Sequence, residues 1–222
     1  MSDSAKLHNE KYKAARLAGL PGWGGANRIA KIPQMLEERF FSFEGAPLTG
    51  KLLELGCGAG NLSIALSNRG FDVFGVDFSE SAIEWANENA KQTTKTIDLR
   101  VADVTDLSCF TNESFDVIYD GNCLHCLIGE KRVLGLAEWK RVLKPDGLLF
   151  ISSLCAPLGE SEFPKEFDQD SGLLLDSGIP YRFIPPPEYI ESELQSAGFK
   201  ITSKLVRFDK PFCHINIHAR KI

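Results

Sequence analysis

At 222 residues the chain holds one domain with additions, or at most two small ones, given roughly 150 residues per domain, so large multidomain machines are excluded. Its 43% hydrophobic and 25% charged residues are a globular composition that leaves no room for a disordered or fibrous protein, and a core of this size needs no disulfide or structural metal to complete it. A net charge of -5, from 25 basic and 30 acidic side chains, gives no electrostatic attraction to phosphate backbones or anionic lipid, which argues against nucleic acid and membrane surfaces as partners.

The first residues, Met1-Ser2-Asp3-Ser4-Ala5-Lys6, show no basic start with an apolar core behind it, and the longest apolar stretch, Gly147 to Ala156, is about half the length of a membrane-spanning helix. A cytoplasmic protein is expected. Leu17 to Asn27, containing Pro21-Gly22-Trp23-Gly24-Gly25, reads as a loop in which Trp23 packs the chain down. Ile29, Ile32, Leu36 and Phe40 then share one helical face, with Pro33 early enough to be tolerated in the first turn. Residues 1–50 thus form a helical appendage ahead of a domain spanning 51–222.

From Lys51 onward strands and helices alternate. Lys51 to Leu55 is a strand, Asn61 to Arg69 a helix, Phe71 to Val76 a second strand ending on Asp77, and Ser79 to Ala90 a helix with an N-cap serine. Ile97 to Val101, Phe115 to Tyr119 and Gly147 to Leu154 are three more strands. Glu130 to Leu143 is the helix feeding the last of these, closed by the breaker Pro145-Asp146-Gly147. Cys155 to Pro187 carries six of the eleven prolines, six acidic residues and two basic ones, and reads as a long irregular insertion of the kind that serves as a lid. Its excess of acid favours a cationic or neutral ligand over an anionic one. Glu188 to Ala197 is a helix stopped by Gly198, and Phe199 to Phe208 with His214 to Ile222 form an antiparallel pair joined through Asp209-Lys210-Pro211. The fold class is α/β: a Rossmann-like, seven-stranded, mostly parallel sheet with helices on both faces and a terminal antiparallel hairpin.

Six scattered cysteines read as reduced thiols, and Cys123-Leu124-His125-Cys126 lacks a second Cys or His pair at ligand spacing, so no metal is expected. The chemistry concentrates at the first strand's end, Glu54-Leu55-Gly56-Cys57-Gly58-Ala59-Gly60-Asn61, where glycines let a ligand approach bare backbone above the sheet. Asn61 occupies the third-glycine position of a dinucleotide fingerprint, which weakens a pyrophosphate-binding reading. Asp77, at the tip of the second strand, is placed to accept from a ribose diol. His125, beside Leu124 and Leu127, is either a satisfied structural imidazole or a base.

These motifs resemble those of the class I S-adenosylmethionine-dependent methyltransferases. The similarity covers about Leu52 to Phe199: the glycine motif Glu54 to Gly60, the ribose acid Asp77, the adenine acid Asp103 in Val101-Ala102-Asp103-Val104, and the fourth-strand motif Phe115 to His125. The resemblance implies that Glu54 and the loop Gly56, Cys57, Gly58 and Gly60 back the methionine and ribose, that Phe78 packs on adenine with Asp103 and Val104 beside it, and that Asp120 meets the methionine amine. Tyr119-Asp120-Gly121 is similar to thiopurine-type and halide-type small-molecule methyltransferases, and the paired-proline signature of DNA adenine methylation is absent. The implied cofactor is S-adenosylmethionine, with S-adenosylhomocysteine as product. The implied partner is a small methyl acceptor taken by a monomer or homodimer, with His125 as candidate catalytic base. The insertion 155–187 is the candidate acceptor lid, together with Leu7 to Asn27. A non-catalytic S-adenosylmethionine-binding regulator and a nicotinamide-dependent oxidoreductase stand as alternatives.

Overall fold

The computed structural model describes residues 3–157, 163–209 and 211–222. Met1, Ser2, residues 158–162 of the insertion and Lys210 of the terminal connection lie outside the described residues. The central sheet has seven strands: β1 (Gly50–Leu55), β2 (Phe71–Asp77), β3 (Asp98–Val101), β4 (Phe115–Asp120), β5 (Leu143–Cys155), β9 (Phe199–Asp209) and β10 (Phe212–Lys221). They lie in the order β3-β2-β1-β4-β5-β10-β9. β1 to β5 are parallel, while β10 runs antiparallel to both β5 and β9. The order reverses beside β1, so the carboxyl ends of β1 and β4 frame the crevice where such sheets bind ligands.

The central strands are covered on both sides, which is why they read as nearly unbroken apolar runs. Leu53, Leu55, Ile118, Leu149 and Ile151 face a core completed by α6 (Glu130–Val142) and α7 (Pro187–Ser196). Their neighbours Leu52, Val117, Tyr119, Leu148 and Phe150 face the other way, against Ile32, Leu36, Phe40 and Leu66. Ile32 and Leu36 lie on the short helix α3 (Ile32–Leu36), Phe40 in a π turn that continues it, and Leu66 on α4 (Asn61–Asn68). Each fully buried Leu or Phe contributes about 1.5–3 kcal/mol over an exposed one.

Three features differ from the sequence reading. The appendage begins with a 15-residue helix, α1 (Asp3–Leu17), that buries none of its side chains fully and so gave no apolar stripe to detect; a short α2 (Gly25–Ala30) follows it. α1 packs on α5 (Glu80–Ala90), where Arg16 bridges Glu84 and Glu88. Pro145-Asp146-Gly147 does not precede β5 but lies inside it. The strand starts at Leu143, and the three residues form an irregularity between the pairs Phe115↔Leu143 and Val117↔Leu148, with Asp146 at φ +57°. The insertion is also not irregular. It holds a small antiparallel sheet, β6 (Phe167–Asp168), β7 (Leu173–Asp176) and β8 (Ile179–Phe183), seated through Phe167, Leu174, Ile184 and Phe212. Its strands are too short for period-two alternation to register, yet Ser177-Gly178 at φ +51° and +79° is a two-residue hairpin turn of the kind that joins such strands.

Candidate active site

The glycine loop leaves β1 and returns as α4. Cys57 N–H donates to Val76 O (2.9 Å), Gly60 N–H to Cys57 O (2.9 Å) and Asn89 Nδ2 to Ala59 O (2.9 Å), which fixes the loop against β2 and α5. Gly58 has φ +53°, and a Cβ there would stand 3.0 Å from the Tyr12 hydroxyl; a Cβ at Gly60 (φ +75°) would stand 3.0 Å from that of Ala86. Both positions therefore need glycine for backbone reasons and for close approach.

Asp77 organises the rim beside this loop. Its Oδ2 accepts from Gly58 N–H (3.0 Å) and the Tyr12 hydroxyl (3.2 Å), and its Oδ1 from Ser79 N–H (3.0 Å). The cap of α5 is Ser79, whose hydroxyl oxygen accepts from Ala82 N–H, so Asp77 is not needed for that task. Val101 pairs with Asp77 in register and Ala102 N–H donates to Asp77 O, which brings Asp103 to the same rim. Asp103 is exposed, with Oδ1 accepting from the backbone and hydroxyl of Thr105, while Val104 is buried beneath it. Phe78 is half-buried, edge-on to His8 at 6.2 Å.

Across the loop Asp120 is fully buried. Its Oδ1 accepts from Cys123 N–H (2.6 Å) and Leu124 N–H (3.1 Å), whereas its Oδ2 makes no hydrogen bond. Glu54 is buried too, bonded to the Ser63 hydroxyl, and a Cβ on Gly121 would lie 3.1 Å from its Oε1. Among the described residues none of Glu54, Asp77 and Asp120 has an ion-pair partner. Burial pushes Glu54 up to about 8, Asp120 up to about 7, and Asp77 upward as well.

The consequence for stability has a definite sign. A carboxyl that holds its proton more tightly when folded stabilises the fold least at high pH, so ligand-free stability should fall between about pH 4 and 8 as Asp120 and Glu54 are forced to ionise. A cationic ligand reverses the preference by favouring the carboxylates, so its affinity should rise with pH over the range 6 to 8, by up to about tenfold per unit for each proton released. Calorimetry of S-adenosylhomocysteine binding in two buffers of different ionisation enthalpy measures the protons released, and a pH-independent affinity contradicts the assignment.

His125 sits on a short turn, Leu124–Cys126, and is 2% exposed. Its Nδ1 lies 3.3 Å from Ser153 Oγ and 3.2 Å from Leu154 N, and its Nε2 lies 3.1 Å from Arg182 Nη1. A guanidinium can only donate, so Nε2 must accept from Arg182, while Leu154 N–H is aimed at Nδ1; a neutral imidazole has one acceptor nitrogen and satisfies one of these donors at a time. Burial first, then Arg182, holds the imidazole well below its ordinary value and therefore neutral.

Residues the motifs did not reveal also reach the site. Tyr12 lies over Gly58 with its ring 4.9 Å from that of Trp23, Asn9 Oδ1 accepts from the Ser79 hydroxyl (2.7 Å), and Lys11 pairs with Asp176 of the insertion at 2.5 Å. α1 therefore touches both the cofactor-side rim and the insertion sheet. Among the described residues no group of three His, Cys, Asp or Glu side chains could hold a metal, and no helix is long and apolar enough to cross a membrane.

An α/β sheet of this order, with a glycine loop after β1 and acids at the tips of β2 and β4, defines the class to which the comparisons also lead. Residues 53–151 match the family model described as a methyltransferase domain. The chain is 34% identical over 110 residues to a ubiquinone biosynthesis O-methyltransferase of Actinobacillus pleuropneumoniae serotype 7, covering 47% of this chain and 45% of that protein. It is 27% identical over 186 residues to an S-adenosyl-L-methionine-dependent Diels-Alderase of Talaromyces variabilis, covering 81% and 63%. The chain thus spans about half the length of the first of these relatives and less than two thirds of the second. The 1,6-didemethyltoxoflavin-N1-methyltransferase of Burkholderia thailandensis, solved with 1,6-didemethyltoxoflavin and S-adenosylhomocysteine, superposes with a TM-score of 0.73 at 20% identity over 98% of this chain and 88% of that one, a likeness of fold. Residues 53–151 therefore carry a methyltransferase domain, and the rest of the chain shares the fold of such enzymes.

Proposed function

We propose that this chain transfers the methyl group of S-adenosylmethionine to a small nucleophilic acceptor by in-line displacement. The observation that carries the reading is the trio Glu54, Asp77 and Asp120, buried around a glycine loop with no cation of their own and with Asp120 Oδ2 unbonded. A ligand bearing a ribose diol and an ammonium group, both donors, matches that set of acceptors. In this reading Asp77 takes the diol, Asp120 with Glu54 behind it takes the ammonium, the backbone of Gly56, Cys57, Gly58 and Gly60 lies along the ligand, and Phe78, Asp103 and Val104 bound the adenine. Tyr12 must release or share Asp77 Oδ2 when the diol arrives.

When bound, the cofactor supplies a methyl group already activated by its sulfonium. What the chain adds is position and dryness: α1 and the insertion close over the strand tips, and holding acceptor and methyl in line can supply ~7–11 kcal/mol in ideal cases. An oxygen or nitrogen acceptor that arrives protonated must lose that proton, and we assign its uptake to His125 Nε2 once Arg182 has moved off it. The finer assignments, residues 1–50 as a lid, a cytoplasmic location and a monomer or homodimer, belong to the same proposal.

S-adenosylmethionine and S-adenosylhomocysteine at millimolar concentration should each raise the melting temperature, since a ligand that binds only the folded chain stabilises it by about 2.7 kcal/mol at a hundredfold excess over Kd. Formation of S-adenosylhomocysteine across an acceptor panel then distinguishes methyl transfer from cofactor binding without transfer. No thermal shift from a ligand-free preparation would overturn the reading.

A further inference from the structure

The other half of the strand tips, over β4, β5 and β10, has the opposite electrostatics to the carboxyl-rich cofactor side. Arg182 comes in from β8 and Arg39 from the π turn after α3; the Nε of each is buried with no hydrogen-bond partner. Arg28, on α2, joins them: it is exposed as a residue, yet its guanidinium is drawn below its ordinary range by desolvation and then by Arg182 and Arg39. Among the described residues none of the three meets a carboxylate, whereas Arg132 and Arg207 nearby are paired with Glu193 and Glu38. Burial and then Arg182 draw His125 down, burial and then Arg39 and Arg28 draw His214 down, and both are held neutral. His214 Nε2 lies 2.8 Å from Asn122 Oδ1, and its buried Nδ1 has no partner.

Neither Asp168 nor Asp176 of the insertion offsets this charge. Asp176 is spent on Lys11, and Asp168 closes its own turn with Ser171 and Asp170 N–H. The insertion is acidic in composition but turns Arg182 onto His125 Nε2.

Like-charged guanidiniums gathered with unbonded N–H groups are unfavourable unless an anion joins them, and the planar fork of arginine fits a carboxylate in two-point contact. Resting on the methyltransferase reading, the geometry points to an anionic acceptor whose carboxylate is received by Arg39 and Arg182, with Arg28 flanking. The cofactor has a carboxylate as well, on the carbon that bears the ammonium assigned to Asp120 at the tip of β4. Arg182 bonds His125 Nε2, the atom assigned to the acceptor's proton, and this contact gives the arginines to the acceptor. Engaging Arg182 with that carboxylate would also free His125 Nε2.

The test uses the full chain saturated with S-adenosylhomocysteine and calorimetry with benzoate, 4-hydroxybenzoate and succinate against benzamide, 4-hydroxybenzamide and succinamide. At least one carboxylate should bind about tenfold or more above its amide. Arg39→Gln and Arg182→Gln should each weaken that binding about tenfold to a hundredfold, Arg182→Lys less so, with S-adenosylhomocysteine affinity unchanged. Both glutamine variants should melt no lower than wild type without ligand, since each removes an unpaired charge. Amides binding as well as carboxylates, no carboxylate binding at 10 mM, or carboxylate affinity unchanged in the variants each overturns the inference. So does a loss of S-adenosylhomocysteine affinity alongside normal binding of 5′-methylthioadenosine, which would give the arginines to the cofactor's carboxylate. Failure of S-adenosylhomocysteine to bind wild type would instead sink the methyltransferase reading on which this rests.

Discussion

Arg132→Ala should cost about 3–5 kcal/mol of stability, the largest loss expected from a single substitution outside the apolar core. Arg132 is 2% exposed. It donates through Nε and Nη2 to both oxygens of Glu193 (2.7 and 2.6 Å) and through Nη1 to Leu124 O (2.8 Å), and it stacks its guanidinium over Phe183. One side chain thus joins α6, the turn that carries His125, α7 and the insertion sheet. Removing it strands Glu193, itself only 13% exposed, without its counter-charge. Replacing both partners with apolar residues, Arg132→Met with Glu193→Leu, should recover much of the loss, because two desolvated charges leave together. Chemical denaturation of the three proteins checks both statements, and a single variant within 1 kcal/mol of wild type contradicts the first.

Asp77→Ala should lower cofactor affinity about tenfold to a hundredfold while the apolar strand beneath it stays folded, since hydrogen bonds to a charged group are worth about 1.5–3 kcal/mol. The structure sharpens the comparison. Asp77 also anchors Gly58 N–H, so Ala frees the glycine loop, whereas Asn keeps one acceptor oxygen for that bond and should fall between wild type and Ala. Because Ser79 caps α5 on its own, the melting temperature without ligand should change less than affinity does. Normal affinity in Asp77→Ala would remove the diol assignment.

The glycine loop and Asp77, which the proposal gives to the cofactor, were legible in the sequence because they are built from local signals: a strand, three glycines and an acid at the next strand's tip are fixed by backbone geometry within some 25 residues. The arginines that the proposal gives to the acceptor were not. Arg28, Arg39, Arg182 and His214 come from four elements spread over most of the chain, and nothing in the spacing of Arg182 within an acidic, proline-rich segment tells that Glu166, Asp168 and Asp170 face solvent while it faces His125. The charge count of that segment is silent on this for the same reason, since composition carries no direction. α1 escaped notice because a helix that buries nothing fully leaves no periodic trace, and β6 to β8 because strands of two to five residues fall below the length at which alternation registers.

α1 meets the rest of the protein through half-buried polar contacts: Tyr12 on Asp77, Asn9 on Ser79, Arg16 on Glu84 and Glu88, Lys11 on Asp176. Of these the exposed ion pairs are each worth about 0–1 kcal/mol and weaken with salt, whereas the Tyr12 bond to buried Asp77 and the ring contacts of Tyr12 with Trp23 and of His8 with Phe78 and Tyr181 do not. In the proposed reading, with α1 as part of the lid, the helix contacts both the Asp77 rim and the insertion, so its opening would release both halves of the crevice at once. The departure of spent cofactor and the admission of the next acceptor would become steps of one motion that salt eases by weakening the ion pairs.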